Sequence, residues 1–189
     1  MKTLILSLLM IAVFVPAASA QEKMTADQEI STVGFNIFKT VCFMMFPVEM
    51  KEKRIAFLDE KFVRHDGEQR ELFLKMAGGK PGEVWGAVFP QAAYAVVLQD
   101  NGNCHVIAQK GDTATIHDNF ATMAEDAAKN IPNITVKTVP KTATEVLESS
   151  GFEVKGPGDK TVMAVIASTP LKPQADKPAA LMTVMVSAE

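Results

Sequence analysis

The chain has 189 residues, with 19 Lys+Arg against 22 Asp+Glu, a formal net charge of −3 and 48% hydrophobic content. A balance this close to neutral provides no basic face for a phosphate backbone, which argues against nucleic acid as a partner. The apolar fraction likewise argues against a disordered chain.

The first twenty residues, MKTLILSLLMIAVFVPAASA, carry one early positive charge at Lys2, an apolar run from Leu4 to Val15, then Pro16 and Ala18-Ser19-Ala20. These are the three parts of a cleavable secretory signal. The apolar run is about a dozen residues, short of the ~20 that span a bilayer as a helix. No later segment is both long and apolar enough to do so. Cleavage would make Gln21 the first residue, and no cysteine stands there to accept a lipid. The expected organisation is a signal at 1–20, a flexible polar lead-in at 21–31 (QEKMTADQEIS) and one domain at 32–189. A chain of that length buries about 70% of its unfolded surface. The short positive region and the Ala-Ser-Ala site suggest a bacterial product, periplasmic or secreted.

In chain order, the spacing of Phe35, Phe38, Val41, Cys42 and Met45 predicts a helix from Thr32, stopped at Pro47. A second helix is expected from about Val48 to Arg64, with Ile55, Leu58 and Phe62 inward. Asp66-Gly67 breaks it before a third, Glu68 to Ala77, which the turn GGKPG (78–82) closes. The apolar period then falls to two, predicting strands at 83–89 (EVWGAVF), 94–99 (YAVVLQ) and 103–109 (NCHVIAQ). Asp100-Asn101-Gly102 between the last two is a hairpin turn. A helix over Ala114–Asn130 follows, capped by Asp112, Thr113 or Thr115, with Ile116, Phe120, Met123 and Ala127 as its buried stripe and Pro132 as its stop. Four more strands are expected at 133–139, 151–156, 161–168 and 180–187. Pro157-Gly158-Asp159-Lys160 joins the second and third as a hairpin, and a three-proline loop (169–178) precedes the last. Residues 140–150 stay open between a short helix and an irregular connection. The order implies an α+β fold: a single antiparallel sheet of about six to seven strands, built as a three-strand meander, a helix and a second meander, with the N-terminal helices packed on one face.

Chemistry-bearing residues are few. Cys104 and His105 are adjacent, but on a strand they face opposite sides, Cys104 with Val106 and Ala108, His105 with Ile107. They therefore cannot act together as nucleophile and base. Two cysteines in an exported chain allow one bridge, Cys42–Cys104, closing a loop of about 62 residues. Two buried free thiols, or a metal or catalytic role, are the alternatives. Met44, Met45 and Met50 lie near Cys42 and could suggest Cu(I), yet their helical positions diverge, and adaptable core filling accounts for them better. His65, His105 and His117 are scattered without zinc-ligand spacing, and neither hydrolase nor phosphate-loop signatures occur. The pairs Asp59-Glu60 and Glu125-Asp126 read as solvated helix surface. Trp85 and Tyr94 flank one hairpin and are expected in the core. The other possibility is an aromatic contact surface, with His105 as a further candidate. No catalytic residue, metal site or cofactor is expected.

The segments FKTVCF (38–43), GEVWGAVF (82–89) and CHV (104–106) resemble a group of bacterial exported proteins with a helix cysteine and a strand Cys-x-Val. The likeness spans roughly residues 35 to 125. That group has no assigned activity; the resemblance implies only the cysteine pairing. The functional expectation is a non-catalytic binding module for a small ligand, an envelope component or a protein partner. The alternatives are a periplasmic enzyme whose site combines distant histidines (His65, His105 or His117) with carboxylates, and a structural or assembly factor of the cell envelope.

Overall fold

The structure, a computed structural model, describes residues 23–45, 50–156, 160–172 and 177–186. The proposed signal, Pro47, most of the 157–160 turn and part of the proline loop lie outside them.

The first helix starts at Ala26 (α1, Ala26–Phe38), so the stretch read as a flexible lead-in is partly helical. Thr25 explains the earlier start. Its side chain accepts from the Gln28 amide while Gln28 reaches back to the Thr25 amide, a reciprocal cap. The chain then winds into a π-helical segment, Lys39–Met44, that buries both Val41 and Cys42. Two short helices follow, α2 (Lys51–Lys61) and α3 (Gly67–Met76), with a three-residue strand β1 (Val63–His65) between them. The predicted second helix therefore ends early, and Arg64 and His65 belong to a strand. The central meander is β2 (Gly82–Val88), β3 (Ala93–Gln99) and β4 (Cys104–Ala108). Helix α4 (Thr113–Asn130) starts at Asp112, whose carboxylate accepts from the Thr115 amide at 2.9 Å. Strands β5 (Thr135–Ala143), β6 (Leu147–Lys155), β7 (Thr161–Pro170) and β8 (Ala180–Val186) complete the chain. The open segment 140–150 is the β5–β6 hairpin.

All eight strands form one antiparallel sheet in the order β1-β2-β3-β4-β8-β7-β6-β5. The two meanders meet where β4 pairs with β8, so each lies on its own half of the sheet. The expected class holds, with eight strands instead of six or seven, β1 being the one not predicted. Alternation divides the side chains between two faces. The first face carries Trp85, Tyr94, Val96, Cys104, Val106, Phe152, Val165, Met182 and Val184, covered by α1, the π segment, α2 and α4. On the second face, Leu74 of α3 and Ala77 just after it pack on Val84, Ala95, Val97 and Ile107. Not every N-terminal helix shares one face, then: α3 crosses to the other side because β1 intervenes and reverses the chain.

Helix α1 approaches the sheet closely at Gly34. A Cβ there would stand 2.8 Å from the Tyr94 ring. The phenol runs along the helix past Gly34, and its hydroxyl donates to the Ile30 carbonyl at 2.7 Å. Next to this contact the Cys42–Cys104 disulfide joins the π segment to β4, with a Cα–Cα distance of 5.4 Å and both residues fully buried. Its loop spans 62 residues, for which chain entropy gives about 4 kcal/mol. Reduction should add two hydrogens to the intact mass. It should also lower the urea-unfolding free energy by about 4 kcal/mol. Alkylation of both thiols in native, unreduced protein would exclude the bridge.

Candidate functional site

The residues singled out as a possible contact surface are buried: Trp85 at 0%, Tyr94 at 3% and His105 at 5% exposure. That reading is corrected, because each side chain spends its polar atom or its ring inside the protein. Trp85 Nε1 donates to Asp59 at 2.7 Å, and the Arg64 guanidinium lies 5.1 Å from the Trp85 ring centre. Strand register sets Trp85 opposite Val96 and Tyr94 opposite Ala87, so the two aromatics are diagonal neighbours on one face. His65 stacks on Phe73, and its imidazole fills the space above Gly86, where any Cβ would collide with Nε2. Among the described residues, no three His, Cys, Asp or Glu side chains converge as a metal site would require. No described helix is long and apolar enough to cross a membrane.

His105 lies on the second face, as alternation requires. Its Nδ1 is 3.0 Å from Thr183 Oγ1, while Nε2 is buried without a hydrogen-bond partner. Burial pushes its pKa down to about 4, because the charged imidazolium would be stranded away from water. The arrangement is structural.

His117 is different. It sits on α4 one residue from the predicted stripe, on the flank shared with Phe120 and Ala124 at i, i+3 and i+7 spacing, and is 7% exposed. This flank faces β6 and β7. On β6, Glu148, Ser150 and Phe152 alternate toward the first face, and Thr169 of β7 stands directly across from Glu148. His117 Nδ1 forms a short hydrogen bond with Ser150 Oγ. Its Nε2 lies 2.9 Å from Thr169 Oγ1 and 3.2 Å from Glu148 Oε1. Lys141 Nζ closes the set at 2.8 Å from Glu148 Oε1. Lys141 comes from an irregularity in β5, where the pairing shifts between Val139 and Thr142. The cause is local: Pro140 has no N–H to give the ladder, and an edge strand tolerates such an interruption. Bulges of this kind re-aim side chains, and here both Pro140 and Lys141 line a cleft.

The electrostatics determine the tautomer of His117. Burial holds its pKa below the usual histidine range; Glu148 opposes this, Lys141 adds to it and Asp118 opposes it. The ring is therefore neutral near pH 7. An ionised carboxylate only accepts, and a bare Nε2 lone pair facing Glu148 would be repelled. Nε2 thus carries the hydrogen, donating to Thr169, and Nδ1 is left to accept the Ser150 proton. The result is a hydroxyl, a neutral base and a carboxylate in sequence.

This cluster opens onto a cleft of about 270 Å³ between α4 and the β5–β6 hairpin. Phe120, Ala121, Ala124, Val139 and Pro140 give it apolar walls, and His117, Asp118, Thr138, Lys141 and Ser150 its polar lining. A larger cleft of about 450 Å³ lies beside α3 and the Gly79–Pro81 turn. Of the three cations that line it, Arg70, Lys75 and Lys80, Arg70 is committed to the Gly82 carbonyl at 2.6 and 3.0 Å. Among the histidines considered from sequence, only His117 is brought to a carboxylate in a cleft. Ser150, Glu148, Thr169 and Lys141 were missed. The one available signal was the period-two spacing of Glu148 and Ser150, hidden in a segment whose conformation was open. No family model matches the chain, nor does any curated protein or solved structure match it significantly.

The pH dependence of stability follows from His105. Its folded pKa of about 4 lies below the 6.5 of a free imidazole, so between those values the unfolded chain binds more protons. Stability is full above pH 6.5 and falls as pH drops toward 4, by about 3 kcal/mol. His117 adds a loss of the same sign. Urea unfolding at pH 7 and pH 4 should show a drop that shrinks by about 3 kcal/mol in His105→Leu. An unchanged drop in that variant would refute the assignment.

Proposed function

We propose that the protein is an exported bacterial domain that binds a small ligand in the cleft between α4 and the β5–β6 hairpin. The composition of that cleft carries the reading: apolar walls beside a polar side formed by His117, Asp118, Thr138, Lys141 and Ser150. Small-molecule sites combine a mostly apolar lining with a few convergent polar groups in this way. The volume of about 270 Å³ suits a ligand of a few non-hydrogen atoms with an apolar body and an anionic or hydrogen-bonding head. Export is supported by the N-terminal signal pattern, by the buried cysteine bridge, which persists in an oxidising compartment, and by the resemblance to bacterial exported proteins. These together support a periplasmic or secreted location. The convergence of His117 with Glu148 and a hydroxyl at the cleft favours one second reading, an enzyme, taken up below.

Titration of ¹⁵N-labelled residues 21–189 with butyrate is expected to give saturable shifts at the amides of Ala121, Val139 and Gly151. Ala121→Trp places an indole in the cleft from an exposed helix position. It should abolish those shifts while changing stability by no more than about 0.5 kcal/mol. Absence of saturable shifts at these residues in the unsubstituted protein would remove the reading. Independently, protein recovered from a bacterial periplasm should have a mass that begins at Gln21; a mass retaining residues 1–20 contradicts export by signal cleavage.

A further inference from the structure

Resting on the cleft just described, we propose that it is an acyl-transfer site in which Ser150 is the nucleophile, His117 its general base, and small carboxylic esters the substrate. Three observations converge. The Ser150 hydroxyl is hydrogen-bonded to the one imidazole nitrogen able to accept its proton. The other nitrogen is held by Thr169 at 2.9 Å, with Glu148 alongside at 3.2 Å, so the ring cannot present the wrong tautomer. The nucleophile and the base both line a cleft that admits a small molecule. An inert buried histidine needs none of this, as His105 shows: it has one hydroxyl partner, no carboxylate and no cleft.

In the first half-reaction, Ser150 Oγ bonds to the ester carbonyl carbon as its proton passes to His117 Nδ1 and the carbonyl π pair moves onto oxygen. Lys141, which lines the cleft while paired with Glu148 at 2.8 Å, would share its charge with that oxygen. Collapse re-forms the carbonyl and breaks the bond to the alkoxy oxygen, which takes the proton from Nδ1 and leaves as an alcohol. Water then adds to the acyl-Ser150 carbon and gives a proton to Nδ1. The second collapse releases the carboxylic acid and returns that proton to Ser150 Oγ. No metal, redox partner or further co-reactant enters. Small volume and the walls of Phe120, Ala124, Val139 and Pro140 favour a short aliphatic acyl group. Thr169 and Glu148 act on the reacting atoms only through His117, Glu148 being paired with Lys141 as well, and are positioning residues.

The test uses residues 21–189 with a fluorophosphonate ester as covalent probe and p-nitrophenyl butyrate as substrate. Intact mass and peptide mapping should show one phosphonyl adduct on Ser150, absent from Ser150→Ala. His117→Gln should slow p-nitrophenyl butyrate hydrolysis by about 100-fold or more. The rate should rise with pH through one ionisation at the imidazole. Glu148→Gln should move that profile to lower pH, since the lost carboxylate was raising the His117 pKa; a merely structural Glu148 would lower the rate with no shift. Should His117→Gln fail to fold by circular dichroism, Thr169→Val frees Nε2 with smaller disruption and should slow hydrolysis likewise. An adduct that persists in Ser150→Ala, or hydrolysis unaffected by both the His117 and Thr169 substitutions, overturns the proposal. No adduct while butyrate still shifts the cleft amides overturns catalysis and leaves ligand binding standing. No adduct and no shifts overturn both.

Discussion

The fold depends on one crossing. Two antiparallel meanders share a sheet, and they meet because the last strand, β8, returns to pair with β4. The second meander must therefore begin at the far edge, at β5, and fold back inward strand by strand. The chain leaving β4 near the middle of the sheet has to travel to that edge before it can start. Helix α4 makes the journey, across the first face of β5, β6 and β7. Its apolar stripe is buried by the crossing itself, and whatever polar residue sits on the flank of that stripe is carried over the strands it bridges. His117 meets Ser150, Glu148 and Thr169 for that reason.

The other half of the first face is secured differently. There α1 and the π segment lie on β3, β4 and β8. The covering helix is held by a hydroxyl-to-carbonyl bond from Tyr94, by Ser31 donating to the Asp112 carbonyl at 2.9 Å, and by the disulfide. The second of these contacts ties α1 to the start of α4, so the two helices that cover the sheet are coupled at the point where the crossing begins. Loosening the bridge would thus reach the orientation of α4 and, through it, the His117 cluster.

How much of this was legible follows from the range of each interaction. The hairpin at Asp100-Asn101-Gly102 and the opposite faces of Cys104 and His105 are consequences of period-two geometry within a few residues. They could be read directly. The disulfide was legible because only two cysteines exist, leaving one possible pairing. The start of α1 was misplaced since its cap is a reciprocal bond between Thr25 and Gln28 in a stretch whose polarity resembled a linker. Strand β1 was absorbed into a predicted helix: Val63, Arg64 and His65 are strand only because Gly86, Trp85 and Val84 lie beside them. The same tertiary pairing sends α3 to the second face. The site was the least legible, as its members come from α4, β5, β6 and β7. Lys141 reaches it only through the register shift that Pro140 imposes, and that segment had no decisive periodicity.

The two buried imidazoles differ in their surroundings, and the role proposed for His117 rests on that difference. Both are held neutral by burial, so neutrality alone gives neither a function. What separates them is the occupancy of the second nitrogen. His105 Nε2 is buried with no hydrogen-bond partner, so a proton arriving there would have no counter-charge, and the expected cost is acid sensitivity of the fold. His117 has a hydroxyl on each nitrogen and a carboxylate beside Nε2, and that carboxylate is itself paired with Lys141. A proton reaching Nδ1 from Ser150 would find Glu148 already in place to offset it, with Lys141 limiting how far that carboxylate raises the resting pKa. The balance keeps the ring unprotonated at rest while lowering the cost of protonating it for a moment. The proposed general base would draw on that combination at the cleft that α4 leaves beside the sheet.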